Sequence, residues 1–310
     1  MAHLLEDSTA GDPMTGLKWT FRSLSRIAKA LDDDAGIRLS PNTVGRLLKA
    51  MDFSLRTNRK ALAEVDHPDR DRQFRYLSRL RRLYISRGWP VISVDSKKKE
   101  LIGPFKNPGR SRRRQPRAVF AHDFPSWAQG RGIPYGIYDV AHNDGYVVVG
   151  TSHDTPTFAA ACIRRWWIET GRRRYAGARR LLIEADSGGS NDYRKWEWKV
   201  ALQGVADEFD LTILVTHYPP GASKWNPIDH RMFSLISGNW AGEPLTSYEV
   251  MLKYIRRTRS AQGFHCRASV DTHEYAARGS ISAQDRAGVR LERRRVLPQW
   301  NYTIVPHGHR

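Results

Sequence analysis

Asp95 closes the apolar run VISVD at 91 to 95, and Asp186 closes RLLIEAD at 180 to 186, so two expected strands end in carboxylates. Ligands commonly sit beyond the carboxyl ends of strands in open sheets, and the two acids meet if the strands are neighbours. A third acid, Asp229, follows the loop HYPPGASKWNPI. There Pro219, Pro220 and Gly221 forbid a continuing helix, while Asn226 and Pro227 favour a helix start, which sets Asp229 in a first helical turn. Three clustered carboxylates repel one another unless divalent cations neutralise them, and hard oxygen ligands with open positions suit Mg²⁺ or Mn²⁺. Two such ions roughly 4 Å apart activate a water or a 3′-hydroxyl on one side of a phosphodiester and stabilise the departing oxygen on the other. The chemistry expected of Asp95, Asp186 and Asp229 is in-line phosphoryl transfer on two ions. Asp139, Glu184 and Asp192 compete for the same roles, because each also lies near a strand end or a helix start.

The surroundings of these acids are basic. Lys97, Lys98, Lys99, Lys106 and the run GRSRRR, with Arg110, Arg112, Arg113 and Arg114, form an electrostatic track for a nucleic-acid backbone, and Lys224 stands ready for a phosphate beside Asp229. The whole chain agrees: 51 Lys and Arg against 32 Asp and Glu leave a formal charge of +19, which points to a polyanionic partner. With 310 residues, 40% of them apolar, the composition excludes wholesale disorder and suggests roughly two domains of about 150 residues each. No apolar run reaches the roughly 18 to 20 residues of a membrane span, and the start MAHLLEDSTAGDPM lacks the pattern of a secretory signal. Cys162 and Cys266 are too few for a disulfide framework or a Cys-built zinc site, so a reducing cytoplasm is the simplest compartment, with nucleoid association when DNA is bound. Gly188 and Gly189 lack the order of a phosphate loop, and no nucleotide cofactor is implied.

Stepping outward from the acids, the chain changes character near residue 90. Before it, Leu24, Ile27, Ala28 and Leu31 and then Val44, Leu47, Leu48 and Met51 recur at helical spacing. Gly36 turns the chain between them, and Ser40 followed by Pro41 makes a good N-cap, which reads as a helix-turn-helix. Its second helix would present Asn42, Thr43, Arg46 and Lys49 toward a DNA groove, with Arg56, Arg59 and Lys60 on phosphates. The alternative is a plain helical hairpin with a solvated basic face. Residues 67 to 88 form a basic linking helix with Phe74, Leu77, Leu80 and Tyr84 on its buried side. From 91 on, strands alternate with helices: a hairpin from IPYGIYDVA and GYVVVG, a helix from TPTFAAACIRRWWIETG, the strand RLLIEAD, a helix over 191 to 209 and the strand LTILVTHY. The fold class expected is α/β, a mixed sheet flanked by helices, preceded by a small all-α region. Four regions follow: 1 to 66 for DNA binding, 67 to 90 as basic linker helix, 91 to 260 as catalytic core, and 261 to 310 as a basic appendage that packs on the core or extends along DNA. Trp166 and Trp167 read as packing residues, Trp225 as a loop anchor with contact to an unpaired base as the alternative, and His217 and His230 as hydrogen-bonding groups rather than ligands.

The blocks VISVDSKKKELIGPFKNPGR, IPYGIYDVAHNDGYVVVG, FAAACIRRWWIETGRRRY, LLIEADSGGSN and HYPPGASKWNPIDHRMFSLI closely resemble the ISAzo-type insertion-sequence transposases, the family of the Rhodopirellula-type transposase DDE domain, over about residues 17 to 304. The resemblance implies a ribonuclease-H-like core and metal-dependent cleavage and strand transfer at the ends of a mobile element, with Asp95 and Asp186 as the first two catalytic acids. It further implies double-stranded DNA as partner, both element ends and target, and at least a dimer when two ends are bridged. Two departures stand out. The helix after SKWN usually begins with Glu in this family and here carries Asp229, as mariner-like transposases do, and additional helical sequence usually precedes the block GDPMTGLKWT, so the start reads as truncated. The competing functions are a DNA-binding remnant or repressor, and a ribonuclease-H-like nuclease that does not join ends.

Overall fold

The runs rich in β-branched residues become strands of a single mixed sheet in a computed structural model, which describes residues 9–11, 18–20, 23–51, 67–111, 114–222, 225–277 and 279–308. The chain divides into two compact units, Met1–Leu62 and Ala63–Arg310.

In the first unit, β1 (Thr9–Gly11) pairs antiparallel with β2 (Lys18–Thr20), a short ribbon in a region expected to be all-α. Helices α1 (Leu24–Ala35) and α2 (Pro41–Ala50) follow the expected bounds. Gly36 ends α1 in a left-handed conformation at φ 66°, its N–H on the Asp32 carbonyl, and Ser40 caps α2 by accepting the Thr43 N–H at 3.1 Å. The shared core is narrower than the apolar pattern suggested. Ile27, Ala28, Leu31, Val44 and Leu48 are buried, but Leu24, Leu47 and Met51 are exposed, because a pair of short helices seals only the stripe along its seam.

The second unit is built on β3 (Val91–Ser96), β5 (Gly130–Asp139) and β6 (Asp144–Gly150), an antiparallel meander, with β7 (Arg180–Ala185) and β8 (Thr212–His217) added in parallel on the other side of β3. The spatial order β6, β5, β3, β7, β8 with these directions is the ribonuclease-H-like arrangement. The short β4 (Glu100–Ile102) pairs with β5. Residues beyond 261 pack on the core: β9 (His265–Asp271) extends the sheet beside β6, and β11 (Asn301–Ile304) and β10 (Leu291–Arg293) extend it beside β8.

Helices cover both faces. On one lie α4 (Pro156–Trp166), which continues through a π-helical turn at Trp167–Gly171, and α5 (Trp196–Phe209); their Phe158, Ile163, Trp198 and Leu202 close over Ile92, Val94, Ile183 and Val215. Trp166 and Trp167 are buried there as packing residues. Helix α5 starts five residues later than its pattern predicts, after a 3₁₀ turn at Gly189–Asn191. On the opposite face, α3 (Arg70–Ser86) sets Leu80 and Tyr84 on Val91, Leu182 and Leu214, while α6 (Ser234–Asn239) and α7 (Tyr248–Arg257) cover β5, β6 and β9. The buried stripe of α3 holds Gln73 in place of the expected Phe74, which is half-buried at its edge. A last short helix, α8, spans Ala283–Ala287. Among the described residues no helix is long and apolar enough to cross a membrane.

Candidate active site

Side chains alternate along a strand, so Val91, Ser93 and Asp95 share one face of β3, and Leu182, Glu184 and Asp186 share the same face of the chain through β7. The two strands run parallel with Ser93 opposite Glu184 and Val94 opposite Ala185. Continuing that register by one residue sets Asp95 beside Asp186, both on the face covered by α3 and α6 and both at the carboxyl edge of the sheet. The third acid arrives by a separate route. Ser93, fully buried two residues before Asp95, donates its hydroxyl to Asn226 Oδ1 and accepts the Ile228 N–H at 3.3 Å. The Asp229 N–H in turn bonds the Asn226 carbonyl at 3.1 Å, so the turn that opens the π-helical segment Asp229–Phe233 is pinned to β3 at the level of the first acid. Asn226, read in the sequence as a helix starter, is thus a tether. Ser93→Ala should lower turnover by the chemistry these acids support about a hundredfold, the usual effect of a misplacement near 1 Å, while a circular dichroism melt shows the fold kept.

The electrostatics single out the same three groups. Burial pushes the Asp95 carboxyl well above its ordinary range, and the negative charges of Asp186, Asp229 and Asp154 push it further, against the pull of the Ser96 N–H. Asp186 is raised by burial, opposed by the Ser187 N–H at 2.7 Å. Asp229 is raised by burial first and by Asp186 as well, with His230 opposing. Among the described residues none of the three has a lysine or arginine within salt-bridge distance. The competing acids differ on this point. Glu184 is clamped by Arg81 and Tyr218, Asp139 by Arg174 and Tyr175, and Asp192 by Arg194, which lowers its pKa. Each competitor has an arginine as counter-charge; among the described residues the trio at the sheet edge has no arginine or lysine so placed.

Hard carboxylate oxygens with uncompensated charge are the donor set a divalent cation takes. The side chains are not drawn into a finished cage, and among the described residues no three His, Cys, Asp or Glu groups are arranged to hold a metal ion. Asp154 is a fourth acid at this edge that the sequence patterning passed over. It is half-buried, its Oδ1 accepts the Ser96 hydroxyl at 2.9 Å, and its charge reaches Asp95. Its only signal in the sequence is an acid just ahead of the Thr155-Pro156 helix start.

Behind Asp186 lies a buried polar relay. His217 Nδ1 donates to the Asp186 carbonyl at 2.8 Å, because a carbonyl can only accept, and Nε2 therefore accepts the Tyr302 hydroxyl at 3.0 Å. Gln73 Nε2 donates to the His217 carbonyl at 2.8 Å and to Asn301 Oδ1 at 2.9 Å. His217 is a hydrogen-bonding residue, as its sequence context suggested. Burial holds its imidazole down to about 4 from an ordinary 6.5. The folded form keeps it neutral while the unfolded chain takes a proton, so its contribution to stability is complete above pH 6.5 and shrinks as pH falls toward 4. Urea titrations at pH 7.5 and pH 5 should show a loss of about 2 kcal/mol from this group, and His217→Gln should flatten that part of the slope.

The expected DNA contacts fall in several places. Asn42, Arg46 and Lys49 are exposed on one side of α2, whereas Thr43 is half-buried and its hydroxyl meets Ser40 Oγ at 2.9 Å. Lys98, Lys99, Lys106, Arg110 and Arg114 are exposed. Lys97 departs from the track: its Nζ donates to Glu100 at 2.9 Å and lies 4.6 Å from the Trp240 ring centroid with its side chain only 9% exposed, since an ammonium beside an acid and an aromatic face gains more there than in water. Arg56, Arg59, Lys60, Arg112, Arg113 and Lys224 lie outside the described residues. The patterning also understated α3, whose outer face carries exposed Arg72, Arg75, Arg79 and Arg82 at helical spacing.

Comparison with known proteins completes the description. The family model for the Rhodopirellula transposase DDE domain matches residues 1–306. Solved structures that the chain matches include the Mos1 transposase paired-end complex with left transposon end, at 14% identity over 78% of this chain and 72% of that one with a TM-score of 0.42. The Mos1 strand transfer complex matches at 16% identity over 78% and 72% with a TM-score of 0.41, and the mariner Mos1 paired end complex with Mg at 14% over 81% and 76% with a TM-score of 0.40. Among curated proteins there is no match.

Proposed function

The chain belongs to the Rhodopirellula transposase DDE domain family, and from that membership we propose that it cuts the ends of an insertion sequence and joins them to target DNA, with Asp95, Asp186 and Asp229 as its catalytic acids. The observation that carries the reading is the convergence of three half-buried carboxylates, all raised in pKa and all without a lysine or arginine partner among the described residues, at the carboxyl edge of neighbouring strands. These side chains would hold Mg²⁺ or Mn²⁺, in the two-ion form that phosphodiester chemistry favours. Bound there, the cations would activate the attacking hydroxyl and stabilise the leaving oxygen.

The protein's own groups prepare the reaction. β3 and β7 fix Asp95 and Asp186 in register, the Ser93–Asn226 tether sets Asp229 against them, and the His217 relay holds the Asp186 backbone. In the first unit Asn42, Thr43, Arg46 and Lys49 would face a groove, Thr43 through what its contact with Ser40 leaves open. Lys98, Lys99, Lys106, Arg110 and Arg114, with the α3 arginines, would follow the phosphate backbone, and the protein would act on DNA in the nucleoid as a dimer or larger assembly that bridges two ends. The division of labour proposed is DNA recognition before residue 67, a basic helix to 90 and catalysis on the sheet.

Supercoiled plasmid carrying the DNA on either side of the reading frame, where such an element would have its inverted ends, provides the test. Nicking and end joining that require Mn²⁺ or Mg²⁺ and stop with chelator are the expected result. Cleavage without joined products would assign a nuclease, and DNA retention with no metal-dependent cleavage would assign a repressor.

A further inference from the structure

Trp225 sits four residues before Asp229, and its indole is 43% exposed even though the loop around it is tied down at Asn226. It is also part of a cluster of tilted rings and one guanidinium. The Arg70 guanidinium lies 4.3 Å from the Trp225 ring centroid and 5.9 Å from that of Phe74, the two rings are 5.9 Å apart, and Phe74 leans on Tyr218 at 6.1 Å. Trp225, Arg70 and Phe74 border an open cavity of about 580 Å³, lined also by His67, Pro68 and Asp71. Its walls alternate the rings of Phe74 and Trp225 with the polar groups of His67, Arg70 and Asp71, so that it offers a flat polar ligand both ring faces and hydrogen-bonding groups.

From this arrangement we infer that the cavity receives an unpaired base of a DNA strand, stacked on the Trp225–Arg70 layer beside the candidate active site. Nucleobases stack on indole and guanidinium planes regardless of sequence, because every base has a π-face. The charge nearby suits a strand rather than a free base: Arg72, Arg75, Arg79 and Arg82 are exposed on the outer face of α3, round the helix from the half-buried Arg70, and in the lining itself Arg70 stands beside the acid Asp71. A paired base keeps both of its faces in the helix stack, so the site discriminates frayed or cut ends from intact duplex. The inference rests on the transposase reading for the origin of such ends, and on the geometry of Trp225, Arg70 and Phe74 for the site.

The experiment uses the full chain with chelator present, so that no cleavage intervenes. Fluorescence anisotropy compares a short mixed-sequence duplex with blunt ends and the same duplex bearing a single-stranded extension. Wild-type protein should bind the extended form about tenfold more tightly, the size of one stacked base. In Trp225→Ala the ratio should fall to near one, and Trp225→Phe should restore most of it, with circular dichroism melting as the check that each variant folds. Equal binding of the two duplexes by wild type, or an unchanged ratio in folded Trp225→Ala, overturns the platform while leaving the transposase reading standing. Failure to bind either duplex overturns both.

Discussion

Asp186→Asn is expected to abolish metal-dependent cleavage of element-end DNA, by on the order of 10⁴-fold, the scale observed when one member of a cooperating catalytic set is removed. The side chain keeps its size and its neighbours, and the Ser187 N–H still finds an oxygen, so the change is one of charge. DNA affinity should be retained. The metal-free variant should be at least as stable as wild type. The sign follows from linkage: a carboxyl whose pKa is raised in the fold weighs against the folded state once it ionises, and that penalty disappears with a neutral amide. Loss of activity with retained or increased stability is the signature of a group kept for chemistry rather than for structure. Plasmid nicking assays with parallel thermal melts check both halves. Loss of activity through unfolding would instead show a lowered melting point.

Glu184→Ala should do the reverse. Two residues from Asp186 on the same strand face, Glu184 is fully buried and accepts Arg81 at 2.9 and 2.6 Å and the Tyr218 hydroxyl at 3.1 Å. Arg81 also donates to Tyr218 at 2.8 Å, so the acid closes a network between α3 and the sheet. Removing it strands a largely buried guanidinium, at a cost of about 3–5 kcal/mol. For a unit of this size the melting temperature should fall by roughly 10 °C. Arg81→Met combined with Glu184→Leu should recover much of the loss, because a buried ion pair contributes little beyond a well-packed apolar pair and is damaging chiefly when half of it remains. Circular dichroism melts of the single and double variants are the measurement. Neighbouring acids on one strand face thereby serve opposite ends: Glu184 pairs with Arg81 and holds the fold, and Asp186 has no lysine or arginine partner among the described residues.

That contrast explains how far the sequence could be read. Apolar runs ending in acids located β3 and β7, and chain order with turn residues located Asp229, because these signals are local. Choosing among Asp95, Asp139, Glu184, Asp186, Asp192 and Asp229 was not a local matter. The discriminating fact is the partner, and Arg81, Arg174 and Tyr218 lie far along the chain from the acids they neutralise, apart from the near pair of Arg194 and Asp192. Lys97 was misread for a related reason: a KKK run looks like a solvated patch until the fold brings Trp240 over its first member. The Ser93–Asn226 tether links residues 133 apart, and no periodicity announces it. Strands β9, β10 and β11 escaped notice because they are short or weakly apolar, and pairing with β6 and β8 is what makes them strands. The exposure of Leu24, Leu47 and Met51 is likewise set by how much surface one partner helix can cover.

The central claim is that Asp95, Asp186 and Asp229 together hold the divalent ions of a phosphoryl-transfer site. Crystals of the full chain soaked in Mn²⁺ and measured for anomalous scattering test it directly. The account predicts manganese density in contact with the carboxylates of Asp95 and Asp186, with Asp229 turned toward it. Manganese bound only elsewhere, or a trio that stays empty at concentrations supporting DNA cleavage, would contradict it.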